Sequence, residues 1–195
     1  MEQEGVYIGF DISTSRIGMC IADHNNILVE IKYIELSVDS DVLLEHKLLA
    51  KANIFREYLA KYKHLPILGV VIEDPLKASN NQLTSNMLMR FNGMASYILY
   101  QEFNILPEFL TVHEWRSNIC PEFVRFDGKG KKIFFIPKEI DKKVYILQKI
   151  SNLYPDIVWE KKKNGTLKDG NYDMADAAGL LLGYFIKHNK LRISL

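Results

Sequence analysis

The amino-acid sequence predicts an α/β fold with a mixed five-stranded sheet flanked by helices. Three observations carry this expectation. Short runs rich in β-formers alternate with stretches of helical periodicity. The first three runs follow one another without an intervening helix, as in a meander. Residues 67–72, Ile-Leu-Gly-Val-Val-Ile, form the continuous apolar run that a parallel strand covered on both faces needs.

Taken in order, residues 6–10 and 18–22 are the first two strands. A third follows at 27–36, after Asp23-His24-Asn25-Asn26, whose Asn-Asn pair punctuates a hairpin. From 40 to 63 the spacing of Leu43, Leu44, Leu48, Ile54, Phe55, Tyr58 and Leu59 is helical, with Ser40 placed to cap. Pro66 ends that helix, 67–72 is the fourth strand, and Glu73-Asp74-Pro75 closes it. A helix over about 81–103, a strand at 109–112 and helices at 138–154 and 172–187 complete the chain. The stripe Met87, Leu88, Phe91, Met94, Ala95, Ile98 and Leu99 reads first as core and second as a seam between two copies.

With 195 residues, 48% of them hydrophobic, the chain can bury a core without staples and fits a single domain, 1–195. Its 25 basic and 24 acidic residues exclude both a disordered acidic tail and a uniformly basic coat, so a polyanion must meet a local patch. Residues 125–168 supply one: twelve lysines and arginines against five acids, a local +7 that leaves −6 elsewhere. Lys129, Lys131 and Lys132 in a glycine-containing loop, and Lys142 and Lys143 opening a helix, are the best placed to hold phosphates. Lys161-Lys162-Lys163-Asn164-Gly165 reads as an ordinary surface turn. Two cysteines, Cys20 and Cys120, make no disulfide framework and point to a cytoplasmic or other reducing intracellular compartment. Acids near the N-terminus and the shortness of every apolar stretch argue against a signal peptide and a membrane role.

Four acids stand out. Asp11 directly follows the first strand and Glu73 the fourth, while Asp173 and Asp176 lie three apart at the start of an apolar helix and so share a face. Singly, each also reads as a turn, a strand exit or a helix cap; jointly they form a constellation. Four carboxylates close together cannot all ionise without a compensating cation. The donors are all oxygens, and no His or Cys pair stands at zinc spacing, so the cation is Mg²⁺ or Mn²⁺. Two such ions, typically ~3.5–4 Å apart, cleave phosphodiesters.

The stretch Gly9-Phe10-Asp11-Ile12-Ser13-Thr14-Ser15-Arg16-Ile17-Gly18, then Val71-Ile72-Glu73, then Asp173-Met174-Ala175-Asp176-Ala177-Ala178, resembles the motifs of RuvC-type Holliday junction resolvases. Residues 81–90 with Gly93 are similar to that family's second helix, and Val112-His113-Glu114-Trp115-Arg116 resembles the strand exit before its third. The resemblance implies a ribonuclease H-like fold and a Mg²⁺-dependent endonuclease, usually a homodimer, that nicks opposed strands of a four-way DNA junction. It also implies that Asp11, Glu73, Asp173 and Asp176 are both the catalytic residues and the metal ligands. Two departures, Leu76 where bacterial members carry an aromatic wedge and a basic insertion around 123–137, fit a viral or organellar relative. Three alternatives stay open: a ribonuclease H acting on RNA–DNA hybrids or other branched DNA, a non-catalytic nucleic-acid-binding module, and an actin-like ATPase cradling phosphate at 11–15.

Overall fold

A computed structural model describes residues 4–38, 41, 43–75 and 82–191. Strands β1 (Val6–Ile12), β2 (Arg16–Asp23) and β3 (Leu28–Glu35) form the antiparallel meander, turning between β2 and β3 at Asn26, whose φ of 64° suits asparagine. Helix α1 (Leu44–Leu59) and a single 3-10 turn lead to β4 (Ile67–Asp74), parallel to β1. Helix α2 (Gln82–Phe103) leads to β5 (Glu108–Thr111), parallel to β4, so the sheet order is β3-β2-β1-β4-β5. The five-stranded mixed sheet is therefore the one expected. Helix α3 (Val112–Ile119), an antiparallel pair β6 (Val124–Phe126) and β7 (Lys132–Phe134), α4 (Lys142–Leu153) and α5 (Gly170–Lys187) follow.

The local differences have local causes. Ser40, expected to cap the first helix, lies outside the described residues, as does Leu76, and the helix begins at Leu44. Val112 opens α3 rather than ending a strand, because Thr111 and Glu114 form a reciprocal capping box. The helix expected from 138 starts at Lys142: Ile140 turns back onto the Pro137 carbonyl, and the Asp141 side chain caps the amides of Lys143 and Val144.

The two-residue period of the strands divides the core. Ile8, Phe10, Val70 and Ile72 face α1 and α2, where Phe55, Phe91 and Leu99 meet them, whereas Cys20, Ala22 and Val71 face α5, with α3 and α4 packed beside it. The stripe on α2 is core: Phe91, Ala95, Ile98 and Leu99 are buried. Cys20 and Cys120 are free and buried. Among the described residues no helix is long and apolar enough to cross a membrane.

Candidate active site

Strand parity puts Asp11 on the same face as Gly9, and Glu73 on the same face as Val71. The parallel register pairs Phe10 with Ile72, so the two carboxylates come next, at one level on neighbouring strands and on the α5 side. Across the sheet, Asp11 pairs with Gly18 and Gly18 with Tyr33. Helix α5 begins over this row. A Cβ on Gly170 would meet the Tyr33 ring at 2.5 Å, and a Cβ on Gly18 would stand 1.9 Å from the Asp173 carbonyl oxygen. At Gly9 a Cβ would lie 2.9 Å from the Ala177 carbonyl. Missing side chains on the strands let the helix backbone settle onto the sheet, which delivers Asp173, and one turn later Asp176, beside Asp11.

Burial and mutual repulsion then act on the same groups. Asp11 is pushed well above the usual carboxylate range, first by burial and then by Glu73, Asp176 and Asp173, with Lys143 opposing. Burial raises Glu73 to about 7 against the hydrogen bond from Trp115, with Asp176 adding to the rise. Burial also raises Asp176, against the pull of Arg116 and Lys143. Buried carboxylates with an excess of negative charge are a donor set whose repulsion a bound cation relieves.

Three of the four carboxylates already have partners. Arg16 Nε donates to Asp173 Oδ2 at 2.7 Å, Trp115 Nε1 donates to Glu73 Oε2 at 2.8 Å, and Arg116 Nη2 stands 3.5 Å from Asp176 Oδ1. Among the described residues, no group of three or more Asp, Glu, His or Cys side chains stands close enough together to hold a metal ion. Sequence spacing did not single out Arg16, Trp115 or Arg116 as site residues. Trp115 is fully buried, seated where a Cβ on Gly179 or Gly183 would meet it at 2.7 Å, and the Arg116 guanidinium lies 4.9 Å above its ring. The small residues at 179 and 183 were visible, but only the packing shows what they make room for.

The expected phosphate-binding lysines divide into two sets. Lys142 and Lys143 sit in the first turn of α4, where the helix dipole disfavours cations, so helix stability does not explain them. The charge of Lys143 reaches Asp11 and Asp176. Lys129, Lys131 and Lys132 stand exposed on the β6–β7 hairpin, within the 123–137 interval. The tip is organised by Asp127, which accepts from the Lys129 and Lys131 amides, and by Gly130 at φ 76°. Lys161–Lys163 form the expected surface turn, with Gly165 at φ 84°. The serine and threonine run after Asp11 closes the β1–β2 turn: the Ser13 hydroxyl donates to the Arg16 carbonyl at 2.6 Å and accepts from its amide at 3.0 Å.

No family model matches this sequence, and no curated protein matches it. Solved structures do. Thermus thermophilus RuvC in complex with a Holliday junction substrate is similar with a TM-score of 0.62 at 8% identity, over 94% of both chains. Another structure of that RuvC gives 0.55 at 10% identity, over 94% of this chain and 95% of the other. The yeast mitochondrial Holliday junction resolvase Ydc2 gives 0.59 at 12% identity, over 94% of this chain and 79% of the other. The chain has the ribonuclease H-like fold of these proteins.

Proposed function

We propose that this chain is a divalent-metal-dependent endodeoxyribonuclease of the RuvC type, a single domain with a basic insertion around 123–137, which resolves four-way DNA junctions by paired nicks in recombination and repair. The observation that carries the reading is the convergence of Asp11, Glu73, Asp173 and Asp176 at the carboxyl ends of two parallel strands, β1 and β4, and on the helix laid across them. The full-length fold likeness to a RuvC solved with a Holliday junction substrate supports the choice of DNA.

Those four side chains would hold Mg²⁺ or Mn²⁺, two ions by the logic of phosphodiester hydrolysis, which when bound supply an activated water and stabilise the departing oxygen. Trp115 fixes one oxygen of Glu73 and leaves the other for this work. Arg16 and Arg116 limit the repulsion among the acids before substrate arrives. Lys143, whose positive charge lowers Asp11 and Asp176, would meet charge developing on the phosphate. Lys129, Lys131, Lys132 and Lys142 hold flanking phosphates, which orients DNA without reading its sequence. Nicks in two opposed strands require two sites related by a two-fold axis, hence a homodimer.

The test is incubation of the purified protein with Mg²⁺ and labelled four-way junction, linear duplex and RNA–DNA hybrid, with light scattering on the junction complex. Paired nicks confined to the junction, from a dimer, are expected. Cleavage of the hybrid alone would assign ribonuclease H activity instead, and binding without cleavage a non-catalytic module.

A further inference from the structure

Two clefts flank the contact between α3 and β7. One, of about 570 Å³, is lined by Lys131, Lys132, Phe134 and Lys187, and the other, of about 540 Å³, by Arg116, Phe135, Lys138 and Lys142; His113 and Phe134 line both. These two rings pack against each other and stand between the clefts, of which the second is the one nearer the acids. Its lining includes Arg116, whose Nη2 stands 3.5 Å from Asp176 Oδ1, so this cleft lies beside the carboxylate cluster.

The linings set cations beside rings; Lys187 is paired with Glu108 and Glu114, and Glu114 itself lines the first cleft. Lys131, Lys132, Lys138 and Lys142 are exposed, and none is paired with a carboxylate among the described residues. Between them, Phe134 meets the His113 ring edge-on at 6.4 Å, and Phe135 is 47% exposed. A duplex buries the faces of its bases and offers phosphates outside, so it has no use for aromatic surface in a cleft the size of a small-molecule site. A single strand offers both phosphates and base faces at that scale, and rings interleaved with cations are what bind it.

We propose that the second cleft, between α3 and the segment that follows β7, receives unpaired nucleotides flanking the phosphate presented to Asp11, Glu73, Asp173 and Asp176. The proposal rests on the nuclease reading and deepens it: the enzyme holds a strand locally peeled from its partner, and the segment after β7 is the wall that holds it. Phe135, 47% exposed with the Arg125 guanidinium 5.9 Å from its ring centroid, contributes by stacking, while Lys138 contributes a phosphate contact.

The experiment measures anisotropy of a short fluorescent oligothymidylate, and separately of a fluorescent duplex of equal length, in EDTA so that no cleavage intervenes. Phe135→Ala with Lys138→Ala should weaken the single strand at least about fivefold, the loss expected for one stacked base, and the duplex by less than about twofold. Phe135→Tyr should restore most of the single-strand affinity in the Lys138 wild-type background. Equal melting temperatures would show that the fold is intact, as expected for an exposed ring. Unchanged oligothymidylate binding, or a parallel fall in duplex binding, overturns the cleft assignment. Nicking of the junction by the wild-type protein, assayed separately with Mg²⁺, reports on the nuclease reading alone.

Discussion

The two faces of the central sheet are filled by opposite means. Against α1 and α2 the sheet presents Ile8, Phe10, Ile12 and Ile72, and the helices answer with bulk, as where Phe10 meets Phe55 edge-on at 5.4 Å. Against α5 it presents Gly9 and Gly18, and the helix answers with Gly170, Ala175, Ala177 and Ala178. On the first face side chains set the distance between layers and can repack. On the second, backbone lies almost on backbone, so the separation is set by the absence of atoms. The carboxylates all belong to the second face. Close packing there means that the placement of Asp173 and Asp176 relative to Asp11 does not depend on side-chain rotamers in an intervening layer.

The sharpest break in this contrast is Asp11→Asn. It keeps the shape of the buried site but removes a negative donor, so nicking should fall to background while junction affinity by gel shift stays, and the metal-free protein should melt higher because a buried, repelled charge is gone. Retained Mg²⁺-dependent nicking at the wild-type rate would remove Asp11 from the site. Next comes Gly18→Ala against Phe55→Leu. The added Cβ collides with the Asp173 backbone, so the alanine variant should lose stability by about 1–3 kcal/mol and, through a displaced α5, about a hundredfold in nicking. The leucine on the other face, which loses the edge-on ring contact and leaves a small void, should cost about 1–2 kcal/mol by denaturant titration and leave the nicking rate alone.

A smaller effect follows from pH. Glu73 titrates higher folded than unfolded, so its protonated form favours the fold; that stability is complete below 4.5 and is lost as pH rises to about 7. In EDTA the melting temperature should fall across this window, and Mg²⁺ should raise it most at the alkaline end. A flat profile with and without Mg²⁺ would contradict a repulsive carboxylate cluster. The smallest change lies on the hairpin beside the second face. Lys131→Ala with Lys132→Ala should leave melting unchanged and lower the salt slope of junction binding by about 1 for each phosphate no longer held. Wild-type affinity and slope would reduce these lysines to solvated surface. Binding kept with nicking abolished would give one of them a role in the chemistry.

The element order was legible because strands and helices write different periods: the run at 67–72 is apolar at every position, and the helix at 172–187 is apolar over most of its surface. Asp11 and Glu73 could be picked out because each directly follows such a run, and Asp173 and Asp176 because a spacing of three leaves one helical face. Strands of three residues, like β6 and β7, are too short to show a period, so the hairpin was legible only as a basic, glycine-containing insertion. Helix α3, at eight residues, is fixed mostly by its Thr111–Glu114 cap.

Sequence by itself determined the layers, the five strands of the main sheet and the basic segment, and it nominated the four acids, since each follows from local pattern and composition. Tertiary structure alone decided that Trp115 holds Glu73, that Arg16 reaches Asp173 across 157 positions of chain, and that the charge of Lys143 acts on Asp11 and Asp176. The physical reason is that these are contacts between surfaces brought together by packing, and their partners depend on how near α5 can come to the sheet. That nearness is set by glycines whose role is visible only once the atoms they leave out can be located.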